Sequence, residues 1–162
     1  MNLNFDKPPQ EILTEFKALK KGLIDASSII YAHKIGVLDL LQANLELVTT
    51  PDVVAEAGKD AEGIQLIHCN AAAGSVDERL IYCALRNSLP VISEDKKILS
   101  KLKQTHLPGF NMLMMLNYLS YIDAIDGDQY SHYDALLQKI AWYSPKIWYY
   151  GSSVRNIIGK SR

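Results

Sequence analysis

The chain is short of several things at once, and each shortage excludes a class of protein. Only two cysteines, Cys69 and Cys83, occur in 162 residues. That is too few for a disulfide framework, and they lack the paired CxxC spacing of a zinc site, so a reducing compartment is expected. Long apolar runs are missing too. The most apolar stretch, Met112 to Leu119, is interrupted by Asn117 and far too short to span a bilayer. Met1 to Lys21 holds no continuous apolar h-region, so a cytoplasmic protein without a membrane partner is expected. Nor is there excess charge of either sign. The 17 Lys and Arg set against 18 Asp and Glu leave a formal charge of −1, which excludes a protein that grips nucleic acid by bulk positive charge and leaves only a local site. No GxGxxG loop, P-loop or GxSxG elbow occurs, which argues against dinucleotide, nucleoside-triphosphate and serine-hydrolase chemistry. His33, His68, His106 and His132 are scattered without HxxxH spacing, so none is assigned to metal.

What remains is an ordinary globular composition, 48% hydrophobic and 22% charged, at a length that suits a single domain over residues 1–162. Ile12, Leu13, Phe16 and Leu19 recur at helical spacing, so residues 1–21 read as an N-terminal helical extension. Residues 22–107 alternate short apolar runs with helical patterns. Strands are expected at Leu23-Ile24, Leu45 to Thr49, Ile64 to His68 and Leu89 to Ser93. Helices are expected between them, one carrying Ile29 to Leu41 with a break near Gly36, and others opened by Thr50-Pro51, by Ser75 and by Glu94. This alternation indicates βαβ units in a three-layer α/β/α fold with a short central parallel sheet. Residues 108–162 read as two closing helices, separated at Asp126-Gly127-Asp128, and a basic, aromatic tail.

Ligands of an open parallel sheet bind at the carboxyl ends of its strands, so acids just beyond apolar strands are the informative ones. Asp25 ends the first strand, and Asp95 follows the fourth. Glu56 lies one turn into the helix after the second strand, and Asp77 lies in the first turn of the helix after Ser75. Four convergent carboxylates repel one another unless a cation binds among them, and an all-oxygen site takes a hard ion such as Mg²⁺ or Mn²⁺. Taken singly, each acid has a plainer explanation. First-turn acids complement the helix dipole, Ser75 with Glu78 scans as a capping box, and Ser27 and Ser93 are good helix caps.

Jointly, the segments resemble the PIN-domain family of metal-dependent ribonucleases. Leu23-Ile24-Asp25-Ala26-Ser27 is similar to that family's first motif, and Thr50-Pro51-Asp52-Val53-Val54-Ala55-Glu56 to its second. Asp77-Glu78-Arg79-Leu80-Ile81-Tyr82-Cys83-Ala84 resembles its third, and Val91-Ile92-Ser93-Glu94-Asp95-Lys96 its fourth, in the same order. The resemblance implies a PIN-like fold in which Asp25, Glu56, Asp77 and Asp95 are catalytic and hold one or two Mg²⁺ or Mn²⁺ ions. It also implies that Ser27, Ser93 and Glu78 support them, and that RNA is hydrolysed to a 5′-phosphate product. The short interval between Glu56 and Asp77 departs from toxin-type members, which carry a helical insertion there.

From Ala135 onward the chain has no acids. Lys139, Lys146, Arg155, Lys160 and Arg162 are interleaved there with Trp142, Tyr143, Trp148, Tyr149 and Tyr150. These groups, with Lys96 and Lys97, can hold RNA by stacking and charge, or the rings can pack into the core or a homodimer interface. Three functional expectations follow. The first is a metal-dependent ribonuclease of toxin–antitoxin or RNA-processing type, with an antitoxin-like protein partner in the former case. The second is a non-catalytic α/β interaction module with a degenerate acidic site. The third is a phosphoacceptor receiver domain, which needs an acidic pair that Asp25 lacks.

Overall fold

A computed structural model describes residues 7–70 and 74–161. Five parallel strands, β1 (Lys21–Ile24), β2 (Glu46–Thr49), β3 (Gln65–Leu66), β4 (Val91–Ile92) and β5 (Gly109–Phe110), lie in the order β3-β2-β1-β4-β5. Leu23 sits opposite Val48 on one side and Val91 on the other, so β1 is central. Parallel strands need crossovers, and helices supply them. The helices are α1 (Pro9–Ala18), α2 (Ala26–Ile35), α3 (Leu38–Asn44), α4 (Pro51–Ala57), α5 (Val76–Asn87), α6 (Lys96–Leu102), α7 (Met112–Tyr121), α8 (Gly127–Ile140) and α9 (Pro145–Lys160). With α2 packed on α4 and α5 on α6, the sheet is covered on both faces, which is the three-layer α/β/α arrangement expected from the alternation.

Strands β1, β2, β4 and β5 run within a few residues into the cap of the next helix. Asp25 caps α2, Thr50 with Pro51 opens α4, Ser75 opens α5, Asp95 caps α6 and Asn111 caps α7. Gly36, at φ 82°, ends α2 in the left-handed conformation and produces the expected break before α3. The core is built from Leu23, Ile24, Val48, Val91 and Ile92 of the sheet with Phe16, Ile29, Leu41 and Phe110 around it. Every residue from Met112 to Leu119 is buried, which accounts for a helix that is apolar all round. No helix among the described residues is long and apolar enough to cross a membrane.

Four expectations are corrected. The closing region holds three helices, because α9 follows Ser144-Pro145 and packs on α1 and α7. A fifth strand, β5, adds the far edge of the sheet by pairing with β4. The helix after β4 starts at Lys96 rather than Glu94, since Asp95 accepts from the Lys97 N–H and closes the cap. The two cysteines are joined in a disulfide, Cys69–Cys83, which ties the chain beyond β3 to α5 and overturns the expectation of reduced thiols.

Candidate functional site

The strand order fixes where a site can lie. The chain moves from β1 to β2 and β3 on one side of the sheet, then returns to β4 and β5 on the other, so the connections diverge between β1 and β4. In open parallel sheets that divergence leaves a crevice beyond the carboxyl ends of the two strands. Asp25 follows β1 there, and Ser93, Glu94 and Asp95 follow β4.

Asp25 is 9% exposed. One carboxylate oxygen accepts from the Ala26 N–H at 2.8 Å, and the other accepts from Ser93 Oγ at 2.9 Å and Ser27 Oγ at 3.5 Å. Burial pushes its pKa up. The Ser93 and Ala26 hydrogen bonds oppose that rise, while the charges of Asp77 and Asp95 add to it. Asp25, Asp77 and Asp95 therefore share one electrostatic environment. Neither serine is a helix cap, since Asp25 caps α2 and Asp95 caps α6; instead Ser93 Oγ accepts from the Asp95 N–H at 3.0 Å, and Ser27 Oγ accepts from the Glu94 N–H at 3.2 Å. The two hydroxyls stitch the end of β1 to the end of β4 around the Asp25 carboxylate.

The other predicted residues are placed less tightly. Glu56 is exposed on α4 and is not among the charges that act on Asp25. Glu78 gives its N–H to the Ser75 hydroxyl at 3.2 Å. Its carboxylate folds back over Gly74, where an added Cβ would lie 2.5 Å from Oε2. Lys96, Lys97 and Lys146 are exposed, whereas Arg155 stacks over the Tyr130 ring at 4.0 Å. The aromatic tail divides. Trp142 and Tyr149 are 91% and 75% exposed, while Tyr150 is buried and Tyr143 packs at a tilt against Trp148, ring centres 5.0 Å apart.

Three residues carry more of the site than the sequence reading assigned to them. Glu94 accepts from Ser28 Oγ at 3.2 Å, from the Met112 N–H at 2.6 Å and from the Tyr143 hydroxyl. Its enclosed carboxyl is pushed up to about 7, chiefly by burial. Its signal in the sequence was an acid directly after a buried strand. Tyr143 has no such signal, because nothing local links it to β4. Arg79 pairs with Asp52 at 3.0 Å and donates to the Gly74 carbonyl at 2.6 Å, clamping the first turn of α5 that carries Asp77 onto α4.

The donor chemistry suits a hard cation: oxygens only, with a buried carboxylate whose ionisation is disfavoured without a positive partner. Among the described residues, no three His, Cys, Asp or Glu side chains are grouped closely enough to hold a metal ion as they stand. The fold and site together define a parallel α/β protein with an acidic switch-point crevice. No family model matches the chain, and no curated protein matches it in sequence.

Proposed function

We propose that the protein is a metal-dependent ribonuclease, of the kind its resemblance to PIN domains implies. The observation that carries this reading is the buried Asp25 at the β1/β4 switch point, with Asp77 and Asp95 in its electrostatic environment. Mg²⁺ or Mn²⁺, when bound, neutralises phosphate charge and makes water a competent nucleophile at neutral pH. The chain's own part is to hold carboxylates still. Ser93, Ser27 and the Ala26 N–H fix Asp25, the α6 cap fixes Asp95, and the Arg79 clamp sets Asp77. Glu56 is the fourth acid, presented on the helix that begins beyond β2. Lys96 and Lys97, exposed at the start of α6, attract the RNA backbone, and exposed Trp142 and Tyr149 offer rings for bases to stack on.

The direct test is incubation with single-stranded RNA and Mn²⁺, beside Asp25→Asn and Asp95→Asn. Metal-dependent cleavage that both substitutions abolish is expected. Absence of cleavage, or equal cleavage by the variants, refutes the reading. The exposure of Trp142 and Tyr149 also favours a second reading, an interaction module that docks a protein partner such as an antitoxin, or a second copy, on these exposed rings. In that case Trp142→Ala lowers the mass measured by light scattering while the acidic substitutions leave it unchanged.

A further inference from the structure

A cavity of about 360 Å³ opens between α8 and α9, lined by Leu113, Tyr130, Asp134, Gln138, Trp148 and Arg155. Its volume falls in the range of small-molecule pockets. A cavity of similar size beside α1 has charged walls, but Lys7 and Glu15 there pair with each other at 2.7 Å. The α8–α9 walls are differently arranged. Arg155, on α9, sits with its guanidinium carbon over the Tyr130 ring, 4.0 Å from the ring centre, and its N–H groups can donate to another acceptor. Asp134, on α8, accepts from Gln138 Nε2 at 2.8 Å; this steadies the carboxylate, and the remaining lone pairs stay open to a ligand. Trp148 adds a planar apolar wall.

We infer that this cavity is a nucleobase pocket selective for guanine in single-stranded RNA. Guanine alone among the four bases joins a bidentate acceptor edge, O6 and N7, which matches a guanidinium, to an N1–H and N2–H₂ donor edge, which matches a carboxylate. The two matching side chains stand on different helices of the cavity wall, and the Trp148 ring supplies the flat surface against which an unstacked base lies. Side-chain contacts link the pocket to the end of β4: the Trp148 ring packs at a tilt against the Tyr143 ring, centres 5.0 Å apart, and the Tyr143 hydroxyl donates to Glu94, the residue between Ser93 and Asp95. The polymer's identity rests on the ribonuclease reading, whereas recognition of the base can be tested without it.

The test is calorimetric titration of the full chain, in chelator, with GMP, AMP, CMP and UMP. All four carry the same phosphate, so a difference among them reports the base. GMP is expected to bind about fivefold to 150-fold more tightly than the others, the span expected for one well-made bidentate contact. Asp134→Asn, which keeps an acceptor for Gln138 but cannot pair with both guanine donors, is expected to erase that preference with the melting temperature unchanged. Asp25→Asn should retain it. Equal binding of the four nucleotides, no binding, or a GMP preference that survives Asp134→Asn overturns the inference. Selective GMP binding by a chain that cleaves no RNA upholds the pocket and refutes the ribonuclease reading separately.

Discussion

Glu94 shows how one residue can link stability, pH and the site. Its carboxyl is satisfied by three donors yet titrates near 7 because burial outweighs them. An acid whose pKa rises on folding favours the folded state while protonated. Its contribution is fully present below its ordinary value of 4.5 and is lost as pH climbs through about 7. The difference corresponds to about 3 kcal/mol. Urea unfolding in chelator at pH 5, 6.5 and 8 should therefore show falling stability, and Glu94→Gln should flatten most of the slope. Asp25, raised in the same direction, leaves a remainder. A variant with the wild-type slope would show that the Glu94 carboxyl does not titrate in this range. Gly151 is a second case. A Cβ there would meet Leu113 at 2.5 Å, so α9 reaches α7 only because this residue has no side chain. Gly151→Ala should lower stability by about 1–3 kcal/mol, the usual cost of overpacking, although alanine is the better helix former. A rise in melting temperature would mean that the two helices separate without cost.

At the scale of elements, what the chain announced and what it concealed follow from local and distant causes. Helix starts were legible because a polar cap opens each of them: Asp25, Thr50, Ser75 and Asp95 all cap helices, at positions where short side chains satisfy the free N–H groups. The same rule exposed Asp25 and Asp95 as site candidates, so capping and the proposed catalytic role fall on the same residues. The strand β5 escaped notice because two residues, Gly109 and Phe110, have no periodicity, and only their ladder to β4 makes them a strand. The helix α9 was hidden by Gly151, Ser152, Ser153 and Gly159, poor helix formers that packing on α1 and α7 overrides. Tyr143 reaches Glu94 through that tertiary arrangement and left no local trace. The Cys69–Cys83 disulfide is likewise tertiary: it closes the segment that holds Ser75 and Asp77, across a sequence separation of 14. Reduction with a dithiol should lower stability by about 3 kcal/mol, the chain-entropy value for a loop of about 15 residues. Denaturant midpoints of the oxidised and reduced protein check this, and coincident midpoints would mean the crosslink constrains little.

Across the whole molecule, a formal charge of −1 averages two unlike regions. One is the switch-point crevice, where the charges of Asp77 and Asp95 add to the rise that burial imposes on the Asp25 carboxyl. The other is the wholly basic stretch from Ala135, part of which stacks and part of which is exposed. If the crevice binds a divalent ion only in the folded state, the ion must stabilise the fold by mass action. At a free concentration about one hundred times the dissociation constant the gain is about 2.7 kcal/mol. Melting temperature should then rise with added Mn²⁺ and return to its starting value with chelator. Asp25→Asn removes the buried charge but keeps a side-chain oxygen for the Ala26 N–H and an amide that can face Ser93. The metal-free variant should therefore be at least as stable as the parent, while its response to Mn²⁺ disappears. A nonspecific effect of the ion on the acidic surface would shift parent and variant equally. That outcome would remove the crevice as a metal site, whereas a shift confined to the parent places the ion at the junction of β1 and β4.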